Sequence, residues 1–238
     1  MKNILKSEYI KVRGFNRIRM VIVLPIVTVF IALVMSSPTI LVSFSLYWWE
    51  AMFLFLLMSL LFLFDFNSEL RAGKFQNIDI KKYRMKIQVS KILWMLLQSL
   101  LASIILIVVL WLVSLIFPEI VVINFAKLAL TLLLMLFAVL WNLPVLYFLS
   151  RWVSPYVLLA GNVLISLLVA PLVAQTNFWF VLPWTYQYII GKNVMQIKPS
   201  GDVISGVVTP NITNIVIAIG LSVVLSIMFS YLQKRGEN

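Results

Sequence analysis

The chain has 238 residues, of which 63% are hydrophobic and 11% charged, and its formal net charge is +11. A water-soluble domain carries about 45–50% apolar and about 25% charged residues, so a single soluble core cannot hide this much apolar surface and the bilayer is its natural solvent. Cysteine and histidine are absent, which excludes disulfides, thiolate nucleophiles, Cys/His metal sites and histidine acid–base catalysis.

Residues 1–18 have the pattern of an amphipathic helix. At about 100° per residue, Lys2, Lys6, Arg13 and Arg17 share one stripe, and Met1, Ile4, Leu5, Val12 and Phe15 share another side. This predicts a helix lying in the membrane interface with its basic residues toward lipid phosphates. Glu8 interrupts the apolar side and is expected to reach water or to pair with Lys11, the alternative being a buried contact to a later helix. No convincing small-residue cleavage site follows the first apolar run, so the N-terminus is not read as a cleavable signal.

Six apolar runs follow, at about 20–36, 48–65, 92–117, 127–149, 152–175 and 212–232. Each has about the length a helix needs to cross the hydrocarbon, and in lipid the spans must be helical to pair their backbone groups. Pro25 marks a kink in the first run, and Pro155 and Pro171 punctuate the fifth. The predicted fold class is therefore an all-α integral membrane protein: six transmembrane helices, an N-terminal amphipathic interfacial helix, and short external helices before the sixth span. The whole chain, 1–238, forms one transmembrane domain. Trp48, Trp49, Trp94, Trp152, Trp179 and Trp184 fall near span edges, as an interfacial belt requires, whereas Trp111 and Trp141 are expected to pack between helices.

Between spans two and three, loop 66–91 is basic and is expected to form a short helix, a turn, and a helix capped by Asn77 or Asp79, and its residues fit a solvated basic loop and a docking element for a cytoplasmic partner equally. Asp65 and Glu69 lie four apart on one helical face, where like charges repel, so basic partners are implied. Segment 176–211, before span six, carries Phe178, Trp179, Phe180, Trp184, Tyr186 and Tyr188 and then turns polar. Its aromatic half is expected to form one or two short helices at the outer interface, the second starting at Pro183. Sixteen of the 19 basic residues fall in segment 1–19, in the loop after span two, at Arg151 and in the C-terminal tail. The positive-inside rule places these segments in the cytoplasm. Both termini are then cytoplasmic, which demands an even number of spans. The net positive charge is accounted for by anionic lipid, with no nucleic-acid partner implied.

The chemistry that is missing narrows the class. Glu50, Asp65, Glu119 and Lys127 are expected at span edges, which leaves no ionisable residue in mid-membrane and disfavours ion-coupled carriers and pumps. No G-x-x-x-x-G-K-[ST] loop is present, so the chain cannot hydrolyse ATP by that route. No catalytic residue, metal ligand or bound cofactor is expected.

The loop after span two also carries Glu69, Gly73, Phe75, Lys81-Lys82 and Lys91. In this order the acidic residue, glycine, aromatic, basic cluster and helix-opening lysine resemble the type-2 ABC transporter permeases. The resemblance covers the whole chain. It departs from the family where Ile78-Asp79-Ile80 replaces the usual Pro-Ser. The opening Ile4-Leu5-Lys6-Ser7-Glu8-Tyr9-Ile10-Lys11 and Trp48-Trp49-Glu50 resemble the lantibiotic-immunity permeases of Gram-positive bacteria. The resemblance implies a multi-pass cell-membrane subunit that is not itself an enzyme. An ABC ATPase dimer would bind ATP and magnesium, a second permease or a second copy would complete the pathway, and a membrane-active peptide would be expelled. It implies Glu69, Gly73 and Phe75 as ATPase-coupling residues, and it gives Phe178, Trp179 and Trp184 a role at the substrate or outer gate. Two rivals remain open: an ATP-independent carrier or channel, and a non-transporting immunity scaffold.

Overall fold

The computed structural model describes residues 15–71, 84–118, 121–204 and 209–235. Lys2, Lys6, Arg13, Gly73, Phe75, Asn77 and Asp79 lie outside them. Among the described residues there is no β-strand, only one antiparallel bridge between Ile197 and Val203. Six helical stretches are long and apolar enough to cross a membrane: Arg17–Met35, Pro38–Arg71, Lys86–Ile116, Phe125–Leu149, Pro155–Val173 and Ile212–Gln233.

Span one is helix α1 (Phe15–Met35). Pro25 within it cannot donate to the preceding turn, and Thr28 Oγ1 donates to the Leu24 carbonyl beside that gap at 2.8 Å. Residues 15–18 are the opening turn of this span, so the described part of the predicted interfacial helix is continuous with α1. Span two starts earlier than the apolar run suggests. Pro38 opens a 3₁₀ turn, α2 (Leu41–Trp48) follows, a π turn covers Trp49–Phe53, and α3 (Leu54–Arg71) completes the rod. Thr39, Ser43 and Ser45 dilute the hydropathy there without stopping the helix. Glu50 therefore stands well inside span two rather than at its edge.

Span three is α4 (Arg84–Ile116). Spans two and three, at 34 and 31 residues, would be longer than the hydrocarbon is thick, since about 20 residues suffice to cross it. Span four is broken into α5 (Phe125–Ala138) and α6 (Asn142–Leu149). Pro144 has no N–H to offer the Leu140 carbonyl, which explains a break at that place. Asn124 caps α5 by accepting from the Lys127 N–H at 3.0 Å. Span five contains α7 (Pro155–Leu164), a second π turn over Ile165–Val169, and α8 (Ala170–Val173). Pro155 occupies its first turn, where a missing N–H is harmless.

After span five, two 3₁₀ turns at Trp179–Val181 and Pro183–Thr185 lead into α9 (Tyr186–Val194). Pro183 starts the second turn, as expected. The segment does not simply lie on the outer interface, because Tyr186 to Gly191 are all buried. Helix α9 packs against spans two, four and six. A hairpin at 197–203 closes with Lys198 N donating to Asp202 O at 2.7 Å. At its tip Gly201 has φ +94°, and a Cβ there would lie 3.1 Å from the Tyr47 ring, so glycine is required twice over. Span six is α10 (Ile212–Arg235).

Spans two and four are the enclosed helices, and span six is the most outward-facing. The main core joins Leu54, Phe55, Phe62, Leu106, Leu132, Met135 and Trp141. Trp141 packs as expected, against Phe55 and Trp184. Trp111 does not; it is 45% exposed on the outside of span three. Trp49 is wholly buried rather than interfacial. The basic ends of the spans gather at one end of the bundle. Arg17 meets Asp65, Gln88 donates to the Gln233 side chain, and Arg151 donates to the Gln233 carbonyl.

Candidate functional site: three polar layers inside the bundle

An apolar bundle reveals its working parts through the polar groups it buries, since each must find a partner or carry a cost. Three such layers run from the basic end to the opposite end.

The first layer is ionic. Asp65 and Glu69 share one face of α3, and the partners their spacing demands are supplied by neighbouring spans. Lys91 Nζ lies 2.9 Å from Asp65 Oδ2 and 2.8 Å from Glu69 Oε1. Arg17 Nη2 lies 3.6 Å from Asp65 Oδ1 and donates to Ser68 Oγ at 3.4 Å. Tyr147 OH donates to Asp65 Oδ2 at 2.7 Å. All four charged side chains are at most 6% exposed. Two cations and two carboxylates cancel, which is the condition under which a buried cluster is tolerated. The cluster joins spans one, two, three and four. It also ties together the two helices that flank residues 72–83.

The second layer is neutral. Asn142 and Asn162 exchange amide hydrogen bonds at 2.8 and 3.3 Å. Asn162 also donates to Ser59 Oγ at 2.7 Å and accepts from Trp184 Nε1 at 2.8 Å. Spans two, four and five and the segment before α9 thus meet on one asparagine. Trp184 further stacks edge-on against Trp141, with ring centroids 4.7 Å apart.

The third layer surrounds Glu50 in the π turn of span two. Gln187 Nε2 donates to the Glu50 carbonyl at 3.4 Å and to the Trp184 carbonyl at 2.6 Å. Tyr188 OH donates to the Ser166 carbonyl, within the π turn of span five, at 2.9 Å. Tyr186 OH donates to the Phe180 carbonyl at 3.0 Å. Burial pushes the Tyr186 phenol up to about 12 and Tyr188 further still, so both remain donors at ordinary pH.

The residues singled out by sequence separate when placed in these layers. Arg17 turns into the ionic layer and is 3% exposed, so it does not join a lipid-facing stripe. Glu69 is 4% exposed and held by Lys91, so the basic group it meets belongs to this chain. Phe178 is exposed. Trp179 packs edge-on against Phe180 and Tyr186, and Trp184 belongs to the second layer. The expectation that no ionisable residue lies within a span fails at Glu50, which is 0% exposed. Sequence reasoning missed Asn142, Asn162 and Gln187. The available signal was a lone amide inside an apolar run, which needs a partner in hydrocarbon. Among the described residues, no group of three or more His, Cys, Asp or Glu could hold a metal ion.

No family model, no curated protein and no solved structure matches the chain.

Proposed function

We propose that the chain is the permease subunit of an ABC transporter that expels a membrane-active peptide from the membrane, as in lantibiotic self-immunity. ATP and magnesium are bound by a separate ATPase dimer, and a second permease or a second copy of the chain completes the pathway. The observation that carries this reading is the Lys91 bridge to Asp65 and Glu69. It makes one rigid unit of the two helices on either side of residues 72–83, so a push on that loop is passed into spans two and three together. Arg17 and Tyr147 extend the unit to spans one and four. Phe75 anchors the loop in a groove of the ATPase, and Gly73 permits the close approach. Glu69 acts from inside by holding Lys91. The outward spans suit a lipid-embedded peptide, which needs lateral apolar access rather than a charged tunnel. Phe178, on the exposed lip beyond span five, meets the departing peptide, and Trp179 and Trp184 hold that lip in place.

The test is co-purification of the full chain with a Walker-motif ATPase from its own cell, together with the ATPase rate of the complex. Phe75→Ala is expected to leave the permease inserted while weakening its hold on the ATPase by about 2 kcal/mol and lowering the stimulated rate. Lys86→Ala, at an exposed position on span three, is expected to match the parent. Equal behaviour of all three proteins, or peptide protection that survives without ATP, overturns the reading.

One observation favours a second reading, the ATP-independent carrier. The ionisable group whose absence disfavours carriers is present, since Glu50 is fully buried within span two. An ion or pH gradient that drives peptide release from vesicles containing the chain alone would select it.

A further inference from the structure

Three irregular features meet at Glu50. Span two widens into a π turn at Trp49–Phe53, span five does so at Ile165–Val169, and α9 seats where they meet. Single π turns inside helices are uncommon and recur at functional sites. Glu50 is 0% exposed, yet neither carboxyl oxygen has a hydrogen-bond partner. Gly191 of α9 lies directly against it, and a Cβ at that position would fall 2.3 Å from Glu50 Oε2. Gln187, one turn earlier on α9, has an unpartnered buried Oε1. The site therefore combines a carboxyl group that lacks a bond with an amide oxygen that lacks a donor.

The surrounding charges do not help an ionised Glu50. The titratable groups facing it are Tyr47 on its own helix and Tyr188 on α9. Tyr188 is committed to the Ser166 carbonyl. The facing stretch of span five, Ile165–Val169, has no charge. Span one carries Arg17 and Arg19 at its far end, and Lys192, next to Gly191, is exposed. No cation and no bonded donor on these elements meets the Glu50 carboxyl, and Gly191 packs directly on it, so the proton on this group and the seating of α9 are coupled.

We propose that Glu50 is the proton-binding site of a latch: α9 seats on the π turn of span two while the Glu50 carboxyl carries its proton, and loss of that proton releases the Gly191 face of α9. This goes beyond the transport reading above and does not rest on an ATPase. Ionisation needs a bonded donor or water, and the nearest way to admit one is to part Gly191 from the carboxyl group. Proton release and parting are then one equilibrium, and pH sets its position.

Because the chain has no cysteine, single thiols can be read without background. Val194→Cys places a reporter on the buried side of α9, and Lys192→Cys places one on its exposed side. The purified full chain in nanodiscs is labelled with a maleimide, and each rate is divided by the thiolate fraction at its own site before the ratio is taken, since a buried and an exposed thiol titrate differently. The ratio is expected to rise by about fivefold or more between about pH 6 and about pH 9. In the Glu50→Gln background it stays low and flat, because the amide is neutral at every pH. In the Gly191→Ala background it is high at both pH values, because the added methyl displaces the carboxyl contact. A rise that persists in Glu50→Gln, a flat ratio in the native background, or a ratio that follows sodium at fixed pH overturns the proposal. If Glu50→Gln does not accumulate, the native and Gly191→Ala ratios decide the matter, since a latch requires that the first vary with pH and the second not.

Discussion

Lys91 holds two carboxylates that would otherwise face each other across one helical turn. Removing it leaves Asp65 with Arg17 at 3.6 Å and a bond from Tyr147, and it removes the cation that joins Asp65 to Glu69. Breaking a buried ion pair from one side costs about 3–5 kcal/mol, so Lys91→Met is expected to unfold far below the parent in a detergent melt. The double change Lys91→Met with Glu69→Gln restores neutrality and is expected to recover most of the loss. If the double variant melts with the single one, the cluster is not held by charge balance. Trp184 offers a finer test. Trp184→Phe keeps the ring against Trp141 and deletes the bond to Asn162. Interhelical hydrogen bonds in membranes average about 0.6 kcal/mol, and the acceptor left behind still bonds Asn142. A loss near 1 kcal/mol or below is expected for this change, and a loss several times larger would make Asn162 a keystone of the fold rather than one tie among several.

At the scale of elements, hydropathy reads helix existence well and helix interruption poorly. The predicted runs at 92–117, 127–149 and 212–232 match the structural spans to within a few residues, except that span three begins at Lys86. The reason is physical, since about 20 apolar residues without charge have no other stable form in lipid. Span two was legible only in its inner part, because Thr39, Ser43 and Ser45 dilute its hydropathy without stopping the helix. Neither π turn left a sequence signal, since Trp49–Phe53 and Ile165–Val169 look like ordinary helix. The inward seating of α9 was hidden for a similar reason: aromatic residues suit a headgroup belt and a protein core equally. The pairing of Asp65 and Glu69 with basic partners was legible in kind, but their identity was not, because Arg17 and Lys91 come from other spans. The end of α9 supplies its own prediction. Gln196 has φ +59°, and its carbonyl accepts from Ile204 N at 2.8 Å. A side chain in that region costs about 1 kcal/mol relative to glycine. Gln196→Gly relieves that strain and also removes the contacts Gln196 makes, so the change in stability in a detergent melt is expected to stay within about 1 kcal/mol, and a larger fall would show that the side chain holds the hairpin.

The whole molecule has one basic end, and the contacts there fix which helix ends share it. Arg17 opens span one beside Asp65 and Lys91 on spans two and three. Tyr147 closes span four on the same carboxylate. Arg151 precedes span five and bonds the Gln233 carbonyl at the end of span six. Lys127, Lys192 and Lys198 belong to the opposite end, where α5 begins and α9 stops. The Asn193 side chain accepts there from Asn211 N at the start of span six, at 3.0 Å. A short loop is translocated or retained according to its Lys and Arg content, so this asymmetry predicts the basic end in the cytoplasm and both termini with it. Single-cysteine labelling tests each end directly in intact cells. Ser200→Cys, on the exposed tip of the 197–203 hairpin, is expected to react with an impermeant maleimide. Ser150→Cys, in the turn between spans four and five, is expected to react only after lysis. A fluorescent protein fused after Asn238 is expected to mature, whereas a secreted phosphatase fused there is expected to stay inactive. Labelling at Ser150→Cys in intact cells would invert the molecule. Residues 72–83 would then lie outside, beyond reach of any cytoplasmic ATPase, and the transport reading would fall with the orientation.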